Sequence, residues 1–211
     1  MSDWILVTGF GAFGEVSLNP TQILIQGMEH MTLEGVELVR AVLDVSFDRA
    51  AVQFKELMKH RKNPPMAVIH FGVASSSVRI RIEERAVNCM RGVDVDGASF
   101  DGTSIDERYG PDEFLKTKLD VPLLVQFLNE QGFPARESQD AGRYVCNSTY
   151  FHSLLYAQTQ KPSPLSLFVH VPSIGNVVLE NDKRTEWTDE LILKSAECII
   201  QWFLKEHLGA A

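Results

Sequence analysis

The chain is poor in cysteine: 211 residues hold three, an odd number without paired spacing. That argues against a disulfide framework and for a reducing, cytoplasmic setting. It also lacks any run of about eighteen apolar residues, so no membrane partner is expected. A strand-like segment begins almost at once, at Trp4, which leaves no room for a secretory leader. Positive charge is scarce, with 20 Lys and Arg against 28 Asp and Glu and a net charge of −8. That balance argues against a nucleic-acid partner. There is no internal repeat, no domain linker, and no metal or cofactor is called for. What remains is ordinary globular material, 45% hydrophobic and 23% charged, of a length that suits one α/β domain over residues 1–211.

Trp4 to Gly9 is a short apolar run ending in glycine, the signature of a buried parallel strand. Phe10-Gly11-Ala12-Phe13-Gly14 forms the loop at its carboxyl end, where ligands of open α/β sheets gather. Gly9, Gly11 and Gly14 loosely match a dinucleotide fingerprint. The helix starts late, however, with Asn19 as N-cap and Pro20 in its first turn, and the loop has no basic residues for a phosphate. Phe10 and Phe13 are either a lid on the core or the walls of a site for a flat, neutral ligand.

Further strands are expected at 36–45, 66–73, 78–88 and 165–171. Between them, Ser46 caps a helix ending near His60, Asp120 caps one that stops at Gly132, and a last amphipathic helix runs from Glu190 to Leu208. The 90–117 stretch has no clear period, and 176–185 reads as a polar loop. His70 reads either as a hydrogen-bonded histidine of the core or rim, or as a catalytic one. In 78–88 the alternation puts Ile80, Ile82 and Glu84 on one face and Arg81 and Glu83 on the other.

The stretch around which the chain is organised is Ser138-Gln139-Asp140-Ala141-Gly142-Arg143-Tyr144-Val145-Cys146. It reads as a strand end, a glycine turn and a helix, with Tyr150, Phe151, Leu154 and Leu155 on one stripe. Cys146 then sits in the first helical turn, a position that lowers a thiol pKa. The alternative is a small buried residue at a strand–helix junction. His170, near the end of 165–171, lies one helix and one strand away. Right-handed crossovers would bring Cys146, His170 and Glu83 to one edge of the sheet, supplying the parts of a thiol hydrolase.

These residues match a family pattern. Val7 to Gly14 with Asn19, Ile69 to Val73, Ser138 to Cys146, and Phe168-Val169-His170-Val171-Pro172 together resemble pyroglutamyl peptidase I, the cytosolic cysteine peptidases that remove N-terminal pyroglutamate. The resemblance implies a three-layer α/β fold around a twisted, mostly parallel sheet with helices on both faces. It implies Cys146 as nucleophile, His170 as base and Glu83, five residues before Asn88, as orienting carboxylate. Phe10, Phe13 and Asn19 would surround the pyroglutamyl ring, with backbone near Val73 and Val145 reading its lactam. The partners implied are N-terminally pyroglutamylated peptides. Bacterial members carry an arginine a few residues after the Asn, from which Arg91 here is offset by two positions. An idle relative that binds a small neutral ring without turnover is the competing reading, and a nucleotide binder is a third.

Overall fold

The computed structural model describes residues 3–14, 19–59, 61–180 and 183–207. The first half runs β1 (Asp3–Phe10), α1 (Pro20–Gly27), β2 (Val36–Leu43), α2 (Phe47–Lys59), β3 (Ala67–Val73), β4 (Ile80–Glu83) and β5 (Arg85–Val87). Then follow β6 (Met90–Val93), β7 (Ser99–Thr103), β8 (Phe114–Lys116), α3 (Val121–Glu130), β9 (Ala135–Ser138) and α4 (Val145–Thr159). The chain closes with β10 (Leu165–Val171), β11 (Val177–Glu180), β12 (Lys183–Glu186) and α5 (Asp189–His207). His60 and Leu208, the expected ends of two helices, lie outside the described residues.

Six strands form the central sheet in the order β2-β1-β3-β10-β4-β9. All neighbours are parallel except β10 and β4. Side-chain alternation sorts the sheet into two packed faces. Ile5, Val7, Ile69, Ile82 and Val169 pack with Leu24 of α1, Leu124 of α3 and Ile199 of α5. Trp4, Leu6, Phe10 and Phe168 point the other way, toward Phe54 of α2 and Tyr150 and Phe151 of α4. The mainly parallel, helix-covered sheet expected from the sequence is present.

The expected caps form. Asn19 Oδ1 accepts from Thr21 N at 3.0 Å, and Asp120 Oδ1 accepts from Leu123 N at 3.0 Å. Helix α4 begins at Val145, and Leu155 is half-buried while Tyr150, Phe151 and Leu154 are fully enclosed.

Three segments depart from expectation. The aperiodic 90–117 stretch contains a β6–β7 hairpin and a strand, β8, that pairs with β5. These strands are three to five residues long; β6 and β7 alternate between exposed and half-buried and β8 buries Leu115 alone, too little to imprint an apolar period. The 176–185 loop is a two-stranded ribbon, β11–β12, with one buried residue, Val178. The 78–88 strand breaks at Glu84, whose N–H donates to Ser138 O at 2.7 Å while its carbonyl accepts from Thr117 N at 3.0 Å. The chain thereby leaves the central sheet and starts β5.

A fourth departure bears on the site. Because β4 runs antiparallel to β10, its carboxyl end lies toward the opposite edge of the sheet. The crossover argument therefore does not bring Glu83 to His170. Register does: Glu83 stands opposite Phe168, two residues before His170 and on the same face.

Candidate active site

His170 is the penultimate residue of β10, paired with Gly72 on β3 and with Arg81 on β4. Its Nδ1 lies 2.8 Å from Glu83 Oε1, and both side chains are buried. A carboxylate acceptor at Nδ1 fixes the proton there in the neutral ring and leaves Nε2 as the ring's acceptor. Glu83 is further held by Tyr150, whose hydroxyl donates to the Glu83 carbonyl at 2.9 Å. The Phe168 ring fills the space beneath, with its centroid 4.7 Å from the His170 ring, 5.8 Å from Tyr150 and 6.2 Å from Phe10.

Cys146 is the second residue of α4, whose start has no side-chain cap. A Cβ placed on Gly72 would lie 3.0 Å from Cys146 Sγ. The thiol therefore sits over the β3–β10 pair that carries His170, in space that the missing side chain leaves open. The turn before it needs Gly142 at φ +82°, with Asp140 Oδ1 accepting from Gly142 N at 3.1 Å. Asn147 Oδ1 accepts from Val87 N at 2.8 Å, and its Nδ2 donates to Val87 O at 2.8 Å and Cys89 O at 3.0 Å, which ties the first turn of α4 to β5.

The helix start does not lower the thiol pKa as expected from the sequence. Burial pushes the Cys146 thiol up to about 12, and the charge of Glu83 adds to the rise. The backbone N–H of Cys146 opposes both and is outweighed.

Beside this thiol lies a cavity of about 190 Å³. Phe10, Phe13, Asn19 and Val73 line it together with Cys146 and His170. Phe10 is both wall and core, 2% exposed and packed on Phe168, while Phe13 is half-buried. Asn19 Nδ2 donates to Gly11 O at 3.0 Å, so this side chain also shapes the Phe10–Gly14 loop. Val145 is fully buried and Glu83 stands behind His170; neither lines the cavity. Val45, Ser75, Ala141 and Tyr144 line it without having been singled out in the sequence. Tyr144 had a signal, since it lies two residues before Cys146. The Tyr144 hydroxyl donates to Val93 O at 3.0 Å, and Arg91 N donates to Arg143 O at 2.7 Å, so the β6–β7 hairpin supports this wall.

The remaining candidates lie elsewhere. His70 is wholly buried with Nδ1 2.7 Å from Thr8 Oγ1, and burial pushes its pKa down to about 3. It is a neutral core histidine. Glu84 lies 2.7 Å from Lys116 Nζ, and Arg91 Nε lies 3.3 Å from Asp101. The Cys198 thiol is raised by burial, and Cys89 is buried.

A sequence-family model described as pyroglutamyl peptidase matches residues 3–200. The chain belongs to the pyroglutamyl peptidase family. Pyrrolidone-carboxylate peptidase of Oceanobacillus iheyensis is 35% identical over 179 residues, 84% of this chain and 88% of that one. The enzyme of the same name from Coprothermobacter proteolyticus is 30% identical over 200 residues, 93% and 95% of the two chains. Among solved structures, pyrrolidone carboxyl peptidase of Fervidobacterium islandicum superposes with a TM-score of 0.85 at 28% identity, covering 97% of this chain and 99% of that one. The Thermococcus litoralis structure gives 0.84 at 28% identity, covering 98% and 96%.

A roomier cavity of about 600 Å³ lies between α2 and α4 in this pyroglutamyl-peptidase-family chain. It shares no lining residue with the cavity at Cys146. Among the described residues, no group of three or more His, Cys, Asp or Glu is placed to hold a metal ion, and no helix is long and apolar enough to cross a membrane.

Proposed function

We propose that this protein is a cysteine omega-peptidase that hydrolyses the amide bond after an N-terminal pyroglutamyl residue of peptides. The observation that carries this reading is the His170–Glu83 pair at 2.8 Å beside Cys146, at the end of a small cavity walled by Phe10 and Phe13. A pyroglutamyl ring is flat and neutral, with one N–H and one C=O. Two aromatic walls and backbone hydrogen bonds near Val73 and Val145 suit it, and no Asp, Glu, Lys or Arg lines the cavity among the described residues.

His170 Nε2 takes the thiol proton as Cys146 Sγ attacks the pyroglutamyl carbonyl. With the resting thiol pushed up to about 12, this transfer accompanies attack and does not precede it. Glu83 accepts the Nδ1–H of His170 and stabilises the imidazolium that forms. Backbone N–H groups of the uncapped α4 start, including that of Cys146, hold the oxyanion. The C–N bond then breaks, and the departing amine takes its proton from His170, leaving a thioester on Cys146. Water attacks the thioester with His170 as base, which releases pyroglutamate and returns the proton to sulfur.

A chromogenic pyroglutamyl amide tests this. Turnover by the wild type, no turnover by Cys146→Ala, and no turnover of the corresponding prolyl amide, which lacks the lactam carbonyl, are expected. Saturable pyroglutamate binding by a wild type without turnover would replace the peptidase with the idle ring-binding reading.

A further inference from the structure

The carboxylate behind His170 has a second partner that the roles above leave unused. Arg81 lies two residues before Glu83 on β4, so its side chain emerges on the same face. Its Nη2 is 3.1 Å from Glu83 Oε1, the oxygen that also accepts from His170. The same guanidinium also holds the 138–140 segment. Nε and Nη2 donate to Ser138 Oγ at 3.2 and 2.8 Å, and Nη2 donates to the carbonyl of Asp140. Ser138 ends β9, and Asp140 opens the turn that delivers Tyr144 and Cys146 to the cavity.

We propose that Arg81 is a positioning residue for the hydrolysis set out above, acting on the reacting groups through Glu83 and through the 138–144 turn. The inference rests on that functional reading and adds a residue to it. Two physical arguments carry it. First, Glu83 is 0% exposed, and a carboxylate removed from water must be compensated by charge or by hydrogen bonds. His170 in its neutral form supplies one donor, and Glu83 Oε2 makes no hydrogen bond in the structure. Arg81 is the one full positive charge in contact with the carboxylate among the described residues. Second, Nη2 lies against both Glu83 and the turn, while Nε adds a donor to Ser138 from the same rigid plane, so the guanidinium holds the carboxylate and the turn against each other. An ammonium at the same place would supply charge without that second, coplanar donor.

Arg81 is 20% exposed by its side chain, and the loop it holds is at the surface, so a small cation can reach its place if the side chain is removed. The titratable groups that face Glu83 are Arg81 on its own strand, His170 on β10, and Cys146 and Tyr150 on α4. Of these, only Arg81 is cationic throughout the range of assay.

The test is steady-state kinetics with a chromogenic pyroglutamyl amide on wild type, Arg81→Ala, Arg81→Lys and Ser138→Ala, each checked for folding by circular dichroism. Arg81→Ala should lower kcat by about 10- to 100-fold, the size expected when reacting groups lose their alignment, with KM within about threefold. The deficit should deepen as the pH falls from 8 to 6, because a buried carboxylate without its cation takes a proton more readily. Added guanidinium chloride, compared with equal sodium chloride, should restore part of kcat in Arg81→Ala and nothing in wild type. Arg81→Lys and Ser138→Ala should fall between wild type and Arg81→Ala. Should Arg81→Ala fail to fold, Arg81→Lys and Ser138→Ala carry the same comparison. A folded Arg81→Ala with kcat within twofold of wild type, or loss of kcat equal at pH 6 and 8 without guanidinium rescue, overturns the proposal. So does wild-type kcat in both Arg81→Lys and Ser138→Ala. Absence of turnover in wild type instead overturns the functional reading on which it rests.

Discussion

Replacing Gly72 with alanine should damage stability and activity together, by amounts that the structure bounds. A Cβ at this position would lie 2.8 Å from Phe168 Cζ, 2.9 Å from Phe168 Cε1 and 3.0 Å from Cys146 Sγ. Carbon atoms in contact prefer about 3.5–4.0 Å, so roughly 1 Å of clearance must be found. The Phe168 ring cannot supply it freely. It is fully buried and hemmed by the rings of Phe10, His70, Tyr150 and His170 at 4.7 to 6.2 Å. Overpacking of this kind costs about 1–3 kcal/mol. For a chain of this size that is roughly 2–4 °C in Tm per kcal/mol. The easier movement is of Cys146 Sγ, away from β3 and from the His170 imidazole, and a misplacement of about 1 Å costs on the order of 100-fold in rate.

The assay is differential scanning calorimetry together with kcat/KM for a pyroglutamyl amide. The control is Gly110→Ala, where the nearest atom to an added Cβ is Glu113 Oε2 at 3.4 Å, and where both quantities should stay near wild type. Gly72→Ala with Tm within 1 °C and kcat/KM within twofold of wild type would refute the argument that this glycine makes room for the thiol.

Three further outcomes follow from the site and its core. Alkylation of Cys146 by iodoacetamide in the free protein should climb roughly tenfold per pH unit from 7 to 10, since a thiol pushed up to about 12 has not begun to level off there; a plateau by pH 7 would show a preformed thiolate. Glu83→Gln should reduce kcat by about 100-fold or more, whereas Glu84→Gln, which loses an exposed pairing with Lys116 at 2.7 Å, should leave it within twofold, and the reverse order would contradict the register of β4. His70, pushed down to about 3 from an unfolded value near 6.5, makes the unfolded chain the stronger proton binder between those values. Its contribution to stability is therefore complete above about pH 6.5 and lost as the pH falls toward 3, by up to about 5 kcal/mol. Urea midpoints of wild type and His70→Asn at pH 7 and 4.5 measure it: the variant should lose less on acidification, and an equal loss in both would refute the assignment.

Much of this was legible because the informative strands are long or flanked by clear punctuation. The predominantly apolar β1, β3 and β10 announce a buried parallel sheet, and Asn19-Pro20 and Asp120 announce helix starts through chemistry that is local in sequence. That Cys146 and His170 come close was legible through spacing, and that Glu83 joins His170 only through the resemblance. What was not legible is what depends on contacts distant in sequence. The direction of β4 is decided by its neighbours across the sheet, and nothing in Ile80-Arg81-Ile82-Glu83 encodes it. The β6–β7 hairpin has no apolar stripe because its work is done by backbone, through Val93 O and Arg91 N. The state of the Cys146 thiol also escaped, since the helix-start argument is local and the burial that overrides it is not.

The antiparallel placement of β4 has a chemical consequence. In a wholly parallel sheet, side chains from strand ends reach a ligand from the edge, where water reaches them too. Here Glu83 comes to His170 from within the sheet, opposite Phe168 and beneath the α4 start, and is 0% exposed. A carboxylate in that position keeps one hydrogen-bond geometry with Nδ1 and is poorly screened, so its pull on a forming imidazolium is larger than at a solvated edge. Burial raises the thiol, and the same poorly screened charge adds to the rise. In the proposed hydrolysis one placement would thus stabilise the imidazolium that must form and disfavour a charged thiolate at rest. The alternation that set Arg81 and Glu83 on one face and Ile80 and Ile82 on the other is what makes this possible. A slip of one residue would put Glu84 against His170 and send Ile82 out of the core between β4 and α3, and the loss of that burial holds the register.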